Sequence, residues 1–163
     1  MSMARNIYPS GHFIIAEILL GIANIRNEQG MYDESLELYQ QAVTMLMNYY
    51  SPAHLDIVHF LNCIGDVQLH GKVDYEKAFD VYQQALTMLE TYYPSYSPHI
   101  ANCLNRIGNV KKAQNQNNEA LDYYNLALKL QKDYFSSDHI QLTTTIINIA
   151  HIFFIQGNYD DSL

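Results

Sequence analysis

The sequence predicts an all-α fold, a right-handed solenoid of helix-turn-helix units with about three and a half repeats of 42–43 residues. The first observation behind this is self-similarity at a period of a few tens of residues, the mark of stacked supersecondary units. In one register LLGIANI (19–25), FLNCIGDV (60–67), CLNRIGNV (103–110) and IINIAHI (146–152) align the small residues Ala23, Gly65, Gly108 and Ala150, at spacings of 42, 43 and 42. The second is a companion register, YDESLELYQQAV (32–43), YEKAFDVYQQAL (75–86), NNEALDYYNLAL (117–128) and the cut-off YDDSL (159–163). It aligns Ser35, Ala78, Ala120 and Ser162, and also Tyr39, Tyr82 and Tyr124. The third is the polar break between the two, occupied by Gly30, Gly71, Asn115–Asn118 and Gly157.

Each repeat is therefore two segments, A and B. Apolar residues in B recur at helical spacing, as in Leu36, Tyr39, Val43 and Leu46, with acids such as Glu34 and Glu37 between them. Glycine or asparagine at the break suits a left-handed helix cap. Helices are expected at 12–28 and 32–49, 54–70 and 74–92, 98–114 and 117–134, and 139–156. The organisation is a lead-in of residues 1–11, then repeats 12–53, 54–96, 97–138 and an incomplete 139–163. Small residues on helix A are expected to face small residues on B, and the doublets Tyr49-Tyr50, Tyr92-Tyr93 and Tyr134-Phe135 to plug the core between repeats.

Composition narrows the function. Nine Lys+Arg against seventeen Asp+Glu give a net charge of -8, which argues against nucleic acid, whose phosphates need dense basic surface. The apolar run from Ile146 to Ile155 is broken by Asn148 and His151 and is far short of the ~20 residues of a spanning helix, so no membrane segment is expected. Two cysteines, Cys63 and Cys103, do not make a disulfide scaffold, and a reducing cytoplasmic setting is the simplest. Phosphate-binding and dinucleotide glycine motifs are absent, and no nucleophile constellation accompanies either cysteine, so neither an enzyme nor a cofactor is expected. His12, His54 and His139 recur once per repeat on separate hairpins, which favours packing or capping over a metal site.

The pattern of Leu or Ile, a small residue, Gly-x-Tyr-x-x-(Ala/Ser)-(Leu/Phe), an aromatic and Ala-(Leu/Val) resembles the tetratricopeptide (TPR) repeat. The length of the unit and the stretch SPHIANCLNRIGNV (97–110) are similar to the long repeats of kinesin light chains. Departures from that subtype are Arg26, Gln68 and Lys111 where it has an aromatic, and histidines that lack its following proline. The resemblance implies that the A helices line a concave groove. Carried onto this chain, the groove residues are Asn24, Asn62, Asp66, Asn102, Asn105, Arg106, Asn109, Lys112, Asn148 and His151.

Asparagine offers a donor and an acceptor together, which suits holding the backbone amides of an extended peptide. Asn62 and Asn105 bridging neighbouring A helices is the alternative. Arg106 and Lys112, with Lys111 beside them, would favour a partner with an acidic portion near the third repeat. The expected function is a protein–protein interaction scaffold or adaptor that binds a partner peptide. The alternatives are a segment that self-associates through Ile146, Ile149, Ile152 and Phe153, and the regulatory or targeting region of a larger enzyme.

Overall fold

The computed structural model describes residues 9–49, 55–95, 97–135 and 140–157. They form α1 (Pro9–Glu28), α2 (Tyr32–Tyr49), α3 (Leu55–Asp66) running into a π-helical turn (Val67–Gly71), α4 (Tyr75–Tyr92), α5 (Ser97–Ala113), α6 (Asn117–Tyr134) and α7 (Ile140–Gln156). No strand occurs among the described residues, so the chain is an all-α helical repeat. His54, His139, Tyr50 and the fourth segment B from Tyr159 lie outside the described residues. The chain divides into two compact units, 1–85 and 86–163. In the first, α1 and α2 form a hairpin and α2 packs on α3; in the second, α5 and α6 form a hairpin and α6 packs on α7.

Two of the A–B junctions close by the same device. The amide of Gly30 donates to the carbonyl of Asn27 and that of Met31 to Arg26, while Asn115 donates to Lys112 and Gln116 to Lys111. Gly30 and Asn115 sit at φ +75° and +61°, the left-handed cap of a Schellman motif. An ion pair crosses each junction, Arg26 to Glu34 at 3.3 Å and Lys111 to Glu119 at 2.8 Å. These basic side chains stand where the kinesin light chain pattern has an aromatic.

The middle junction differs, and the chain length there explains why. Ala23 to Ser35 and Gly108 to Ala120 are each 12 residues apart, but Gly65 to Ala78 is 13. The extra residue widens the end of α3 into the π turn, in which Lys72 donates to the carbonyl of Val67 and Asp74 to that of Gln68. Gly71 is thus not the left-handed cap expected of it. That conformation falls on Val73, at φ +55°. Gly71 instead makes room: a Cβ there would lie 2.6 Å from the Tyr32 ring. Asp74 then caps α4 by accepting from the amide of Lys77 at 3.1 Å, and pairs with the Lys77 ammonium at 2.8 Å.

The aligned tyrosines of the B helices anchor the core. Tyr39, Tyr82 and Tyr124 are fully buried, and each donates its hydroxyl to the residue after the aligned small residue: Asn24 Oδ1 (2.5 Å), Asp66 Oδ1 (2.6 Å) and Asn109 Oδ1 (2.8 Å). Burial pushes the Tyr39 hydroxyl up to about 12, with Cys63 adding to it, and raises Tyr124 as well. Small-to-small packing holds in the first hairpin, where Ser35 Oγ donates to the Ala23 carbonyl at 2.8 Å. In the others the glycine faces an aromatic ring, Gly65 the ring of Tyr82 and Gly108 that of Tyr124.

The first residues of the tyrosine doublets are not core plugs, while Tyr93 and Phe135 are half-buried. Tyr49, Tyr92 and Tyr134 are each at least half exposed; Tyr49 stacks on His12 at 3.6 Å between ring centroids, and Tyr134 meets Phe135 edge-on at 4.9 Å. On α7, Ile152 is not an open face either, since it is buried with Ala120 and Tyr124, and Ile149 packs beside it. The exposed apolar residues of that helix are Ile146, Ile147, Phe154 and Ile155.

Candidate functional site

The second compact unit carries a cavity of about 360 Å³ lined by amide side chains. Helix α5 contributes Asn102, Asn105, Arg106 and Asn109, whose spacing of three, four and seven residues sets them on one face of the helix, together with Pro98 and His99 at its start. Helix α7 adds Thr144 and Asn148, and α6 adds Gln131 from below.

Beneath the lining runs a buried polar chain. Asn105 Nδ2 donates to Thr145 Oγ1 at 2.7 Å, and Thr145 Oγ1 donates to Gln131 Oε1 at 2.8 Å. Asn105 therefore bridges α5 to α7. Its own Oδ1 is buried with no hydrogen-bond partner among the described residues. An unsatisfied buried acceptor costs ~1–3 kcal/mol, and a donor supplied from the cavity would remove that cost. The chain exists because two core positions turned polar. Gln131 stands eleven residues after Ala120, where Leu46 and Leu89 follow Ser35 and Ala78; Thr145 stands five before Ala150, where Ile18, Phe60 and Cys103 precede their small residues.

The lining's guanidinium is that of Arg106, whose Nε donates to Asn102 Oδ1 at 2.9 Å, which fixes its direction. Burial lowers His99, which keeps the imidazole neutral at pH 7, and burial also lowers Lys112. Lys111 is committed to Glu119 across the α5–α6 junction and does not add to a basic patch beside Arg106.

Of the residues expected from the sequence, the structure brings Asn102, Asn105, Arg106, Asn109 and Asn148 into one cavity. Lys112 is half-buried and His151 exposed, and neither lines it. Asn24, Asn62 and Asp66 belong to the other compact unit. Asn24 and Asp66 each accept a tyrosine hydroxyl, and Asn62 is buried. Asn109 serves both roles, since its Oδ1 holds Tyr124 while the residue lines the cavity. Sequence reasoning missed Gln131, Thr145 and His99. For the first two the available signal was a polar residue in a register position that is apolar in the other repeats.

Among the described residues, no three His, Cys, Asp or Glu side chains gather as a metal site would require, and Cys63 and Cys103 are not joined in a disulfide. No described helix is long and apolar enough to cross a membrane.

A family model described as tetratricopeptide repeat matches residues 14–91 and 99–163. A search of curated protein sequences finds no match. Among solved structures, BtubC (BKLC) from P. vanneervenii is similar with a TM-score of 0.78 at 16% identity, over 93% of this chain and 60% of that one. The nearly identical TPR-like repeats of a Podosopora anserina kinesin light chain-like protein match with a TM-score of 0.71 at 14% identity, over 90% of this chain and 69% of that one. A Rap protein complexed with competence and sporulation factor matches with a TM-score of 0.75 at 20% identity, over 90% of this chain and 39% of that one. The chain thus spans about 60% of BtubC and about 40% of the Rap protein. At these identities the likeness is one of fold.

Proposed function

The chain belongs to the tetratricopeptide repeat family, and from that premise we propose that it is a non-catalytic protein–protein interaction module holding an extended peptide across α5 and α7. The observation that carries this reading is the amide-lined cavity around Asn105, whose buried Oδ1 lacks a donor among the described residues. A peptide backbone N–H is the donor such a position fits, and the flanking amides of Asn102 and Asn148 can pair with successive peptide groups whatever the side chains. Arg106 would add a charge-assisted bond to a carboxylate of the peptide. The solved Rap structure that holds competence and sporulation factor supports the general reading, because its fold is similar.

The test is a random peptide library displayed on phage and selected on the immobilised chain, followed by titration of the winning peptides. Arg106→Ala and Asn148→Ala should each weaken binding about five- to a hundredfold, in line with ~1–3 kcal/mol for a hydrogen bond to a charged or buried group. Their melting temperatures should stay at the wild-type value. Affinity for acidic winners should also fall with added salt. Winners that bind both variants as tightly as the wild type would remove the proposal.

A further inference from the structure

The structure assigns the three asparagines of α5 that line the cavity a fixed order of polarity, donor at Asn102, acceptor at Asn105 and donor at Asn109, with Thr145 and Gln131 as the positioning residues that hold Asn105 in its sense. The order, which rests on the peptide reading above, fixes which peptide atom each side chain meets. A carboxamide carries an acceptor oxygen and a donor NH2 in one plane, so the neighbour that holds one of them leaves the other for a ligand. Asn102 Oδ1 accepts from Arg106 Nε at 2.9 Å, and Asn109 Oδ1 accepts from the Tyr124 hydroxyl at 2.8 Å. In both the oxygen is engaged within the protein, and the NH2 is left to face a ligand. Asn105 is held the other way round, by its NH2, which donates to Thr145 Oγ1 at 2.7 Å. Its oxygen is the group left over, buried and with no partner among the described residues.

The sense of Asn105 is set from beneath. A hydroxyl has a single proton to give. Thr145 gives it to Gln131 Oε1 at 2.8 Å, so toward Asn105 it can only accept. Reversing the chain of bonds would require the Gln131 and Asn105 amides to turn together, and these residues are only 3% and 9% exposed. Thr145 is itself fully buried and does not line the cavity, so it acts on a ligand through Asn105 alone. Along the helix the three asparagines follow one another in steps of about 4.5 and 6 Å, at 1.5 Å per residue. The matching edge of a ligand is carbonyl, N–H, carbonyl, groups that an extended peptide carries along one side. A carboxylate or an ester at the middle place would set oxygen against oxygen, which leaves the Asn105 acceptor buried and unpaired.

The experiment replaces the backbone amides of a display-selected peptide by esters, one at a time, and titrates each product against the 163-residue chain. An ester exchanges N–H for oxygen while keeping the length of the backbone. At one position the exchange should weaken binding by about tenfold or more, because a site built to accept an N–H rejects the analogue that lacks it. Gln131→Leu should then lower the ratio of amide to ester affinity at that position to about threefold or less. Leucine fills this register place at Leu46 and Leu89, and with the glutamine gone Thr145 can give its proton to Asn105 Oδ1, which turns the Asn105 NH2 toward the ester. Thr145→Val frees Asn105 to turn and should lower the ratio likewise, whereas Thr145→Ser should keep it. Tyr124→Phe releases Asn109 and not Asn105, and should leave the ratio at the wild-type value. A loosened fold weakens amide and ester peptides alike and does not move the ratio. An unchanged ratio in Gln131→Leu and Thr145→Val would overturn the assignment, as would a wild-type chain that tolerates an ester at every position. Either result leaves the peptide reading standing, since that reading fails when no selected peptide depends on Arg106 and Asn148, and the assignment then falls with it.

Discussion

Tyr124 donates its hydroxyl to Oδ1 of Asn109 across 2.8 Å, and its ring occupies the space that a side chain on the neighbouring Gly108 would need. One aromatic residue thereby accounts for two features of helix A, the glycine and the amide beside it. The same relation joins Tyr82 to Gly65 and Asp66. A Cβ on Gly108 would lie 2.5 Å from Cε1 of a ring that is fully buried and tethered at its hydroxyl. Gly108→Ala should therefore cost ~1–3 kcal/mol by overpacking. Tyr124→Phe should cost about 0.5–1.5 kcal/mol, the net worth of one hydrogen bond. Urea unfolding of the two variants checks both figures.

The buried tyrosines also set an alkaline limit. Tyr39 is raised from 10.0 to about 12 by burial, and Tyr124 is raised by the same cause. Above pH 10 the unfolded chain loses these phenolic protons while the folded chain keeps them, so stability falls as pH rises. The contribution is intact below pH 10 and is lost by about pH 12 for Tyr39. Melting temperature should thus drop between pH 10 and 12, and Tyr39→Phe should flatten part of that drop.

Val73 carries a left-handed conformation on a β-branched residue that is 56% exposed. Left-handed backbone costs an ordinary L-residue ~1–2 kcal/mol, a cost glycine avoids while losing more chain entropy on folding. Val73→Gly should stabilise the chain by about 0.5–1 kcal/mol, seen as a higher urea midpoint with an unchanged slope. The corresponding exchange at Gly30, to valine, should destabilise it, since Gly30 already sits at φ +75°.

The chain of Asn105, Thr145 and Gln131 is sensitive to partial removal. Gln131→Leu alone restores the residue found at Leu46 and Leu89 but strips Thr145 of its acceptor, and should cost ~1–3 kcal/mol. Replacing all three, as Asn105→Leu, Thr145→Val and Gln131→Leu, should recover most of that loss because no buried polar group is then left unpaired. Thermal melts of the single and triple variants distinguish the cases.

The helices were legible because a period of 42–43 residues with aligned small residues constrains both their number and their ends. Less legible was anything that depends on one residue's surroundings. The π turn has a signal in the 13-residue gap between Gly65 and Ala78, yet the same Gly71 reads from sequence as an ordinary cap. Tyrosines at Tyr39 and Tyr49 look alike in composition, and only the helix face separates the buried one from the exposed one. Of the groove residues, which the resemblance supplied, Asn105, Arg106 and Asn109 share a helix face by their spacing, whereas Lys112 of the same helix does not line the cavity. Gln131 and Thr145 were not legible, because they lie under the surface in positions where a repeat normally places an apolar side chain.

The central claim is that the amides of α5 and α7 hold a peptide backbone. It is tested most directly by the side-chain amide signals of Asn102, Asn105, Asn109 and Asn148 in ¹H–¹⁵N spectra, recorded while a display-selected peptide is added. The account predicts that these four shift together and saturably, with the Asn105 signal moving most because its Oδ1 gains a donor, while Asn118 on the exposed start of α6 stays in place. Shifts confined to residues outside this set, with the four signals unmoved at saturation, would contradict it.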